Sequence, residues 1–373
     1  MNDSMNIVVT GNMGYVGPVC IAHLRRALPG CTITGIDSGL FAHCLTEAAL
    51  PECRIAAQLF RDVRDLTVAD FHGVDAVIHL AAVSNDPMGS RLEAVTEEIN
   101  HRATVHVAAL AAAAGVRHFA FASSCSMYGY AEAGARTEAD ALNPLTAYAR
   151  SKVAAERDLQ ALSAEGDMVV TALRFATACG FSGRLRLDLV LNDFVASALA
   201  AGRITVLSDG TPWRPLIHVA DMARAFEWAI TRTAAANERF LAVNVGADQW
   251  NFQVAELAEA VRAVIPGTEV EINREAPPDK RSYRVDFARF RALAPHHQPQ
   301  ITLHQAIRDI QAGLVAMGFR DADFRSSSLM RLNVLQKALD QGKLRPDLRW
   351  APPAGGARGS EGDRPPAPPE RAA

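Results

Sequence analysis

Nothing in this 373-residue chain approaches the roughly 18 consecutive apolar residues that a bilayer-spanning helix needs. Its first residues, Met1-Asn-Asp-Ser-Met-Asn6, lack a charged start followed by an apolar core, so no secretory signal is expected. Lysine is scarce, supplying 4 of the 38 basic residues, and the net charge of −3 gives no overall basic surface for nucleic acid. The six cysteines, at 20, 31, 44, 53, 125 and 179, form no Cys-x-x-Cys pair and no metal-ligand spacing. They read as reduced thiols of a cytoplasmic protein, and no metal site is expected. What is present is ordinary: 49% hydrophobic and 21% charged residues, enough for a sizeable core in one large or two smaller domains.

Tyrosine is also rare, five in all, which makes one of them informative. Tyr148 and Lys152 stand four apart in Asn143-Pro-Leu-Thr-Ala-Tyr-Ala-Arg-Ser-Lys152, where the pattern predicts a helix over about 146–164. Residues at that spacing share one helix face. An ammonium beside a phenol favours the phenolate, drawing a reference pKa of about 10 toward the range of a working base. A solvated helix face is the alternative that spacing alone leaves open.

The first half alternates short apolar runs with helical stretches. Strands are expected at Asn6–Thr10, Thr32–Asp37, Asp75–Ala81, His118–Ser123 and Met168–Arg174. Helices are expected over about 15–28 and 90–114, the latter with Asn100 near its middle. Such alternation implies an α/β fold, a Rossmann-type doubly wound parallel sheet covered on both faces. After residue 180 the pattern loosens, with helices near 188–201, 219–232, 252–264, 302–317 and 326–341 and a strand at Leu241–Val245.

Thr10-Gly11-Asn-Met13-Gly14-Tyr15-Val16-Gly17 lies between the first strand and its helix. Small residues there let backbone approach a pyrophosphate, whose charge meets the helix N-terminus. Asp37, 20 residues past Gly17 at the end of the second strand, would accept from ribose hydroxyls and repel a 2′-phosphate, which favours NAD over NADP. Service as a cap is its plainer alternative. Residues 1–180 are therefore expected to form an NAD-binding domain to which 214–246 returns. Residues 181–350 would form a smaller, interleaved, mixed α/β substrate domain. The Pro-, Gly- and Ala-rich stretch 351–373 is expected to be disordered.

In order along residues 5–350 stand the Gly motif, Asp62-Val63, His79-Leu80-Ala81-Ala82, Asn100, Ser123-Ser124-Cys125-Ser126-Met-Tyr128-Gly, Tyr148-x-x-x-Lys152 and Arg214-Pro-Leu-Ile-His218-Val-Ala-Asp221. This series resembles the extended short-chain dehydrogenase/reductase family, specifically its NAD-dependent nucleotide-sugar epimerases and dehydratases. The resemblance implies a cofactor site of Gly11, Met13, Gly14, Tyr15, Val16, Gly17, Asp37, Asp62, Val63, Leu80, Ala81, Ala82, Asn100, Tyr148 and Lys152. It implies that Tyr148, as phenolate, takes a proton from a sugar hydroxyl while hydride passes to the nicotinamide. Ser124 would hydrogen-bond the same hydroxyl, and Lys152 would hold the cofactor ribose and keep the phenolate charged. Arg214 and Arg281 match positions that grip the nucleotide diphosphate, with Arg186 and Arg184 as helpers or as solvated loop. His218 reads as a brace. The His residues at 23, 43 and 106 carry no assigned role.

Departures from the family pattern decide which reaction to expect. Similar 4,6-dehydratases carry Asp and Glu after the catalytic Thr, an acid and a base for elimination; here Cys125 and Ser126 stand there. Cys125 reads either as an acid/base thiol beside the ketone or as small apolar packing. Thr177 replaces an Asn that contacts diphosphate or sugar in relatives. These residues favour epimerisation of a nucleotide-diphosphate sugar through a transient keto-sugar, in the manner of a 4-epimerase. A keto-sugar reductase or dehydratase of the same fold is the alternative, and a non-catalytic NAD-binding protein is the rival from another class. In similar proteins, helices matching 90–114 and 146–164 build an intersubunit four-helix bundle, so a homodimer is expected.

Overall fold

The computed structural model describes residues 4–84, 92–131, 134–235, 238–276 and 282–352. Arg281 and the stretch from 353 onward lie outside the described residues.

Alternation within the first strand shows how the sheet is covered. In β1 (Asn6–Thr10), Ile7 and Val9 enter one apolar cluster and Val8 enters another, because successive strand side chains point to opposite faces. Burying each such side chain contributes roughly 1.5–3 kcal/mol. The same two-faced burial holds for β2 (Thr32–Asp37), β4 (Ala76–His79), β5 (His118–Ser124), β6 (Val169–Phe175) and β7 (Phe240–Val245). With β3 (Ala57–Phe60) they form a seven-stranded sheet in the order β7-β6-β5-β4-β1-β2-β3, every pairing parallel. Strand β3 escaped the sequence reading because it is a short, half-exposed edge.

On one face lie α1 (Gly17–Ala27) and the helix Val219–Thr231. The other carries α2 (Glu93–Glu97), α3 (Thr104–Ala113) and α4 (Ala147–Ala164). The helix expected over 90–114 is thus continuous from Glu93 to Ala113, with a π-helical stretch at Glu98–Ala103 between α2 and α3. Asn100 lies within it, its side chain turned inward to accept from Val83 N at 2.7 Å and donate to Val83 O at 2.9 Å. Such insertions often mark functional positions.

The second half packs the helices Val190–Ala201, Val254–Val264 and Leu303–Ala316 together. Small sheets flank them: Thr177–Cys179 with Trp213–His218 and Asn251–Gln253, and Arg203–Val206 with Glu269–Ile272. Finally, the helix Arg331–Asp340 and the turn after it lie against the first half, where Leu335, Leu344 and Leu348 cluster with Val83, Val95 and Ile99. No helix among the described residues is long and apolar enough to cross a membrane.

Candidate active site

Strand β1 pairs with β2 on one side and β4 on the other, so the chain diverges at its C-terminal end and leaves a crevice there. Gly11 turns the chain at that point with φ +70°, and a Cβ on it would lie 2.5 Å from Ala81 N. At Gly17 an added Cβ would lie 2.0 Å from Asn12 O. Both positions therefore need glycine. The first turn of α1 has no acidic residue and its cap, Val16, makes no side-chain hydrogen bond, which leaves amide donors for an anion.

Above the crevice opens a cavity of about 1040 Å³, lined by Gly11, Gly14, Tyr15 and Val16 from this turn and by Leu80, Ala81 and Ala82 from the end of β4. Met13 and Gly17 do not line it. Met13 contributes its backbone amide, which donates to Asp37 Oδ2 at 3.0 Å, while Asp37 Oδ1 accepts from Gly39 N at 2.7 Å. Burial raises the Asp37 pKa, against these two bonds. Asp62 and Val63 line the same end. Burial also works against the Asp62 carboxylate, but the Arg64 side chain and amide outweigh it and hold its pKa down. Asn100 stays outside the cavity and acts on it by fixing Val83.

Deeper in, β5 and α4 bring Ser124, Tyr148 and Lys152 to one wall. Thr146 caps α4 by accepting from Ala149 N at 3.1 Å, which sets the phase of the helix. Lys152 is 2% exposed. Its Nζ donates to Ala122 O at 2.7 Å and lies 4.5 Å from the Phe121 ring centre and 5.6 Å from that of Tyr148. Burial pulls its pKa down to about 7, with Glu156 opposing. Ser126 also lines the cavity, and its Oγ is buried with no hydrogen-bond partner.

Cys125 departs from the substrate-contact expectation. It is fully buried and off the cavity wall, its Sγ donating to Arg174 O at 3.0 Å. Burial pushes the thiol far above its ordinary range, so the packing alternative describes it. The reason is local: β5 ends at Ser124, and a 3-10 turn over Cys125–Tyr128 carries the thiol into the core beneath. Beneath, Ser123 Oγ donates to Glu156 Oε1 at 2.5 Å, and Arg174 grips the same carboxylate at 2.7 and 3.0 Å.

Thr177, Arg186 and Arg214 line the far end. Arg186 is held by Asp188 at 2.9 Å and donates to Ser84 Oγ at 2.7 Å. Arg184 is not a helper there: it is fully buried away from the cavity, paired with Glu52 at 2.7 Å. His218 braces as expected, capping the helix after it by accepting from Ala220 N and facing Asp309 at 3.0 Å. Sequence reasoning missed Arg331, Leu335 and Leu348 on the wall, since nothing local marks residues that reach a site by tertiary packing. No group of three or more His, Cys, Asp or Glu side chains among the described residues could hold a metal ion.

Glycines that admit close backbone approach, an uncapped helix start and a long cavity together fit a dinucleotide beside a second ligand. Known proteins agree with that geometry. UDP-glucose 4-epimerase of Corynebacterium glutamicum is 26% identical over 288 residues, covering 74% of this chain and 85% of the relative. dTDP-glucose 4,6-dehydratase of Streptomyces griseus is 27% identical over 295 residues, covering 76% and 86%. The structure of UDP-glucose 4-epimerase from Stenotrophomonas maltophila with bound NAD superimposes with a TM-score of 0.73 at 23% identity, covering 84% of this chain and 99% of that one. The family model for the NAD dependent epimerase/dehydratase family matches residues 7–246, a span that runs from β1 through the Gly turn and the Tyr148/Lys152 wall to β7. With most of the described cavity inside that span, the chain belongs to the NAD dependent epimerase/dehydratase family, and its cofactor is NAD.

Proposed function

We propose that this protein is a nucleotide-sugar epimerase that works through a transient keto-sugar. One observation carries the choice among the family's reactions. Elimination needs an acid and a base on neighbouring carbons, and the four described carboxylates lining the cavity are each engaged elsewhere. Asp37 accepts two backbone amides, Asp62 holds Arg64, Asp188 holds Arg186 and Asp193 holds Arg325. Ser124 and Ser126 line the cavity where an acid and a base would be needed.

In this reading Tyr148 removes the proton from a sugar hydroxyl and later returns it. Ser124 holds that hydroxyl in line, and the Lys152 charge favours the phenolate. NAD, when bound, supplies a reversible acceptor for the carbinol hydride. Thr177, Arg186 and Arg214 form the wall toward the nucleotide diphosphate, where guanidinium forks suit phosphate oxygens. The resemblance carries with it a homodimer through the α2–α3 segment and α4, which sedimentation equilibrium tests.

Incubation with UDP-, GDP-, dTDP- and CDP-sugars, without added NADH, tests the reaction. A stereoisomeric sugar with no net oxidation is expected. Loss of water from the product, or a requirement for NADH, would assign a dehydratase or a reductase in its place.

A further inference from the structure

The matched family region ends at residue 246, yet the cavity wall continues far beyond it. Arg331, Leu335 and Leu348 line the cavity, from the helix Arg331–Asp340 and the turn that follows. Two bonds fasten that turn across the Asp37/Asp62 end. Trp350 Nε1 donates to Ser38 O at 2.6 Å, one residue past Asp37. Arg349 pairs with Asp65, in the short turn that Asp62 caps.

Between these anchors, Leu348 is 1% exposed and packs with Val83, Ile99 and Leu335. Its φ of +59° lies in the left-handed region, which a branched side chain sustains only where its surroundings over-determine it. Arg331 is 2% exposed, with its guanidinium 4.9 Å from the Phe41 ring centre and donating to Arg184 O at 2.7 Å and Leu185 O at 3.2 Å. Among the described residues no carboxylate pairs with it. The carboxylate that acts on it, Asp188, is already paired to Arg186, so this buried guanidinium on a cavity wall suits an anionic occupant.

We propose that residues 329–350 form a strap belonging to the cofactor site, which closes the Asp37/Asp62 end over bound NAD and keeps the cofactor from exchanging between turnovers. The inference rests on NAD as cofactor and not on which sugar reaction follows.

Cofactor exchange tests it. Full-length protein loaded with labelled NAD is mixed with excess unlabelled NAD, without sugar, and the retained label is counted after gel filtration. Removing both anchors with Trp350→Phe and Arg349→Gln is expected to speed release about tenfold or more and to lower the NAD content of freshly purified protein. Leu348→Gly, which relieves the strained backbone but removes the plug, is expected to speed release as well. Wild-type exchange rates in both variants would overturn the strap. The result holds whatever the sugar assays show, so failure of the epimerase reading and failure of the strap are distinguishable.

Discussion

Ser124, Tyr148 and Lys152 line the cavity, while the side chains of Ser123 and Cys125 bond into a buried polar network beneath, and the two sides obey different physics. Above, backbone amides of the uncapped α1 and the side chains of the wall border open space. Below, Arg174, Glu156, Ser123, Tyr128 and Asn244 spend theirs on one another. Helix α4 joins the sides, since Tyr148, Lys152 and Glu156 recur every fourth residue. Reactivity here is built on a support whose polar groups are already committed.

Substitutions can break or sharpen that contrast. On the upper side, Tyr148→Phe should lower kcat about 10³-fold with the fold intact, since it deletes only the proton-transfer oxygen; steady-state turnover and bound NAD content report it. On the lower side, Glu156→Ala leaves Arg174 buried without its partner and should cost about 3–5 kcal/mol of stability in denaturant unfolding. If it instead lost turnover at unchanged stability, the underside would be part of the chemistry.

Lys152 belongs to both sides, and Lys152→Met should lower kcat about 10²-fold. Because burial holds its folded pKa near 7, well under the unfolded value, the cofactor-free folded state binds fewer protons across that window. Its contribution to stability is most unfavourable below pH 7 and is relieved as pH rises from about 7 to about 10.5. The methionine variant should lack that rise, so the difference in melting temperature between the two proteins shrinks with increasing pH.

Ser126→Ala removes a buried hydroxyl that bonds nothing among the described residues and should leave KM for the sugar within about threefold. Cys125→Ser should leave turnover within about threefold, because its sulfur serves packing. A large loss with cysteine alone would return the thiol to the upper side.

Much of this was legible in one dimension. The β1–turn–α1 unit, Asp37 and the Tyr148/Lys152 pair are local patterns whose geometry follows from strand and helix periods. The direction of Cys125 was not, since β5 ends at Ser124 and a 3-10 turn over Cys125–Tyr128 sets it. Other features depend on distant partners. Arg184 meets Glu52 across 132 residues, so nothing beside it signals that its charge is already used. Asn100, in its π-helical stretch, reaches Val83, and helix propensity at 98–103 carries no trace of that bond. The wall built by Arg331 and Leu348 is of the same kind.

The contacts of Arg349 with Asp65 and of Trp350 with Ser38 join positions 284 and 312 residues apart. A ribosome displays Ser38 and Asp65 long before it has made their partners. Strands β1 to β5 can pair in that interval, but closure across the Asp37/Asp62 end must wait for the residues synthesised late. The wall that Arg331 and Leu348 give the cavity is therefore the last part of it to be built.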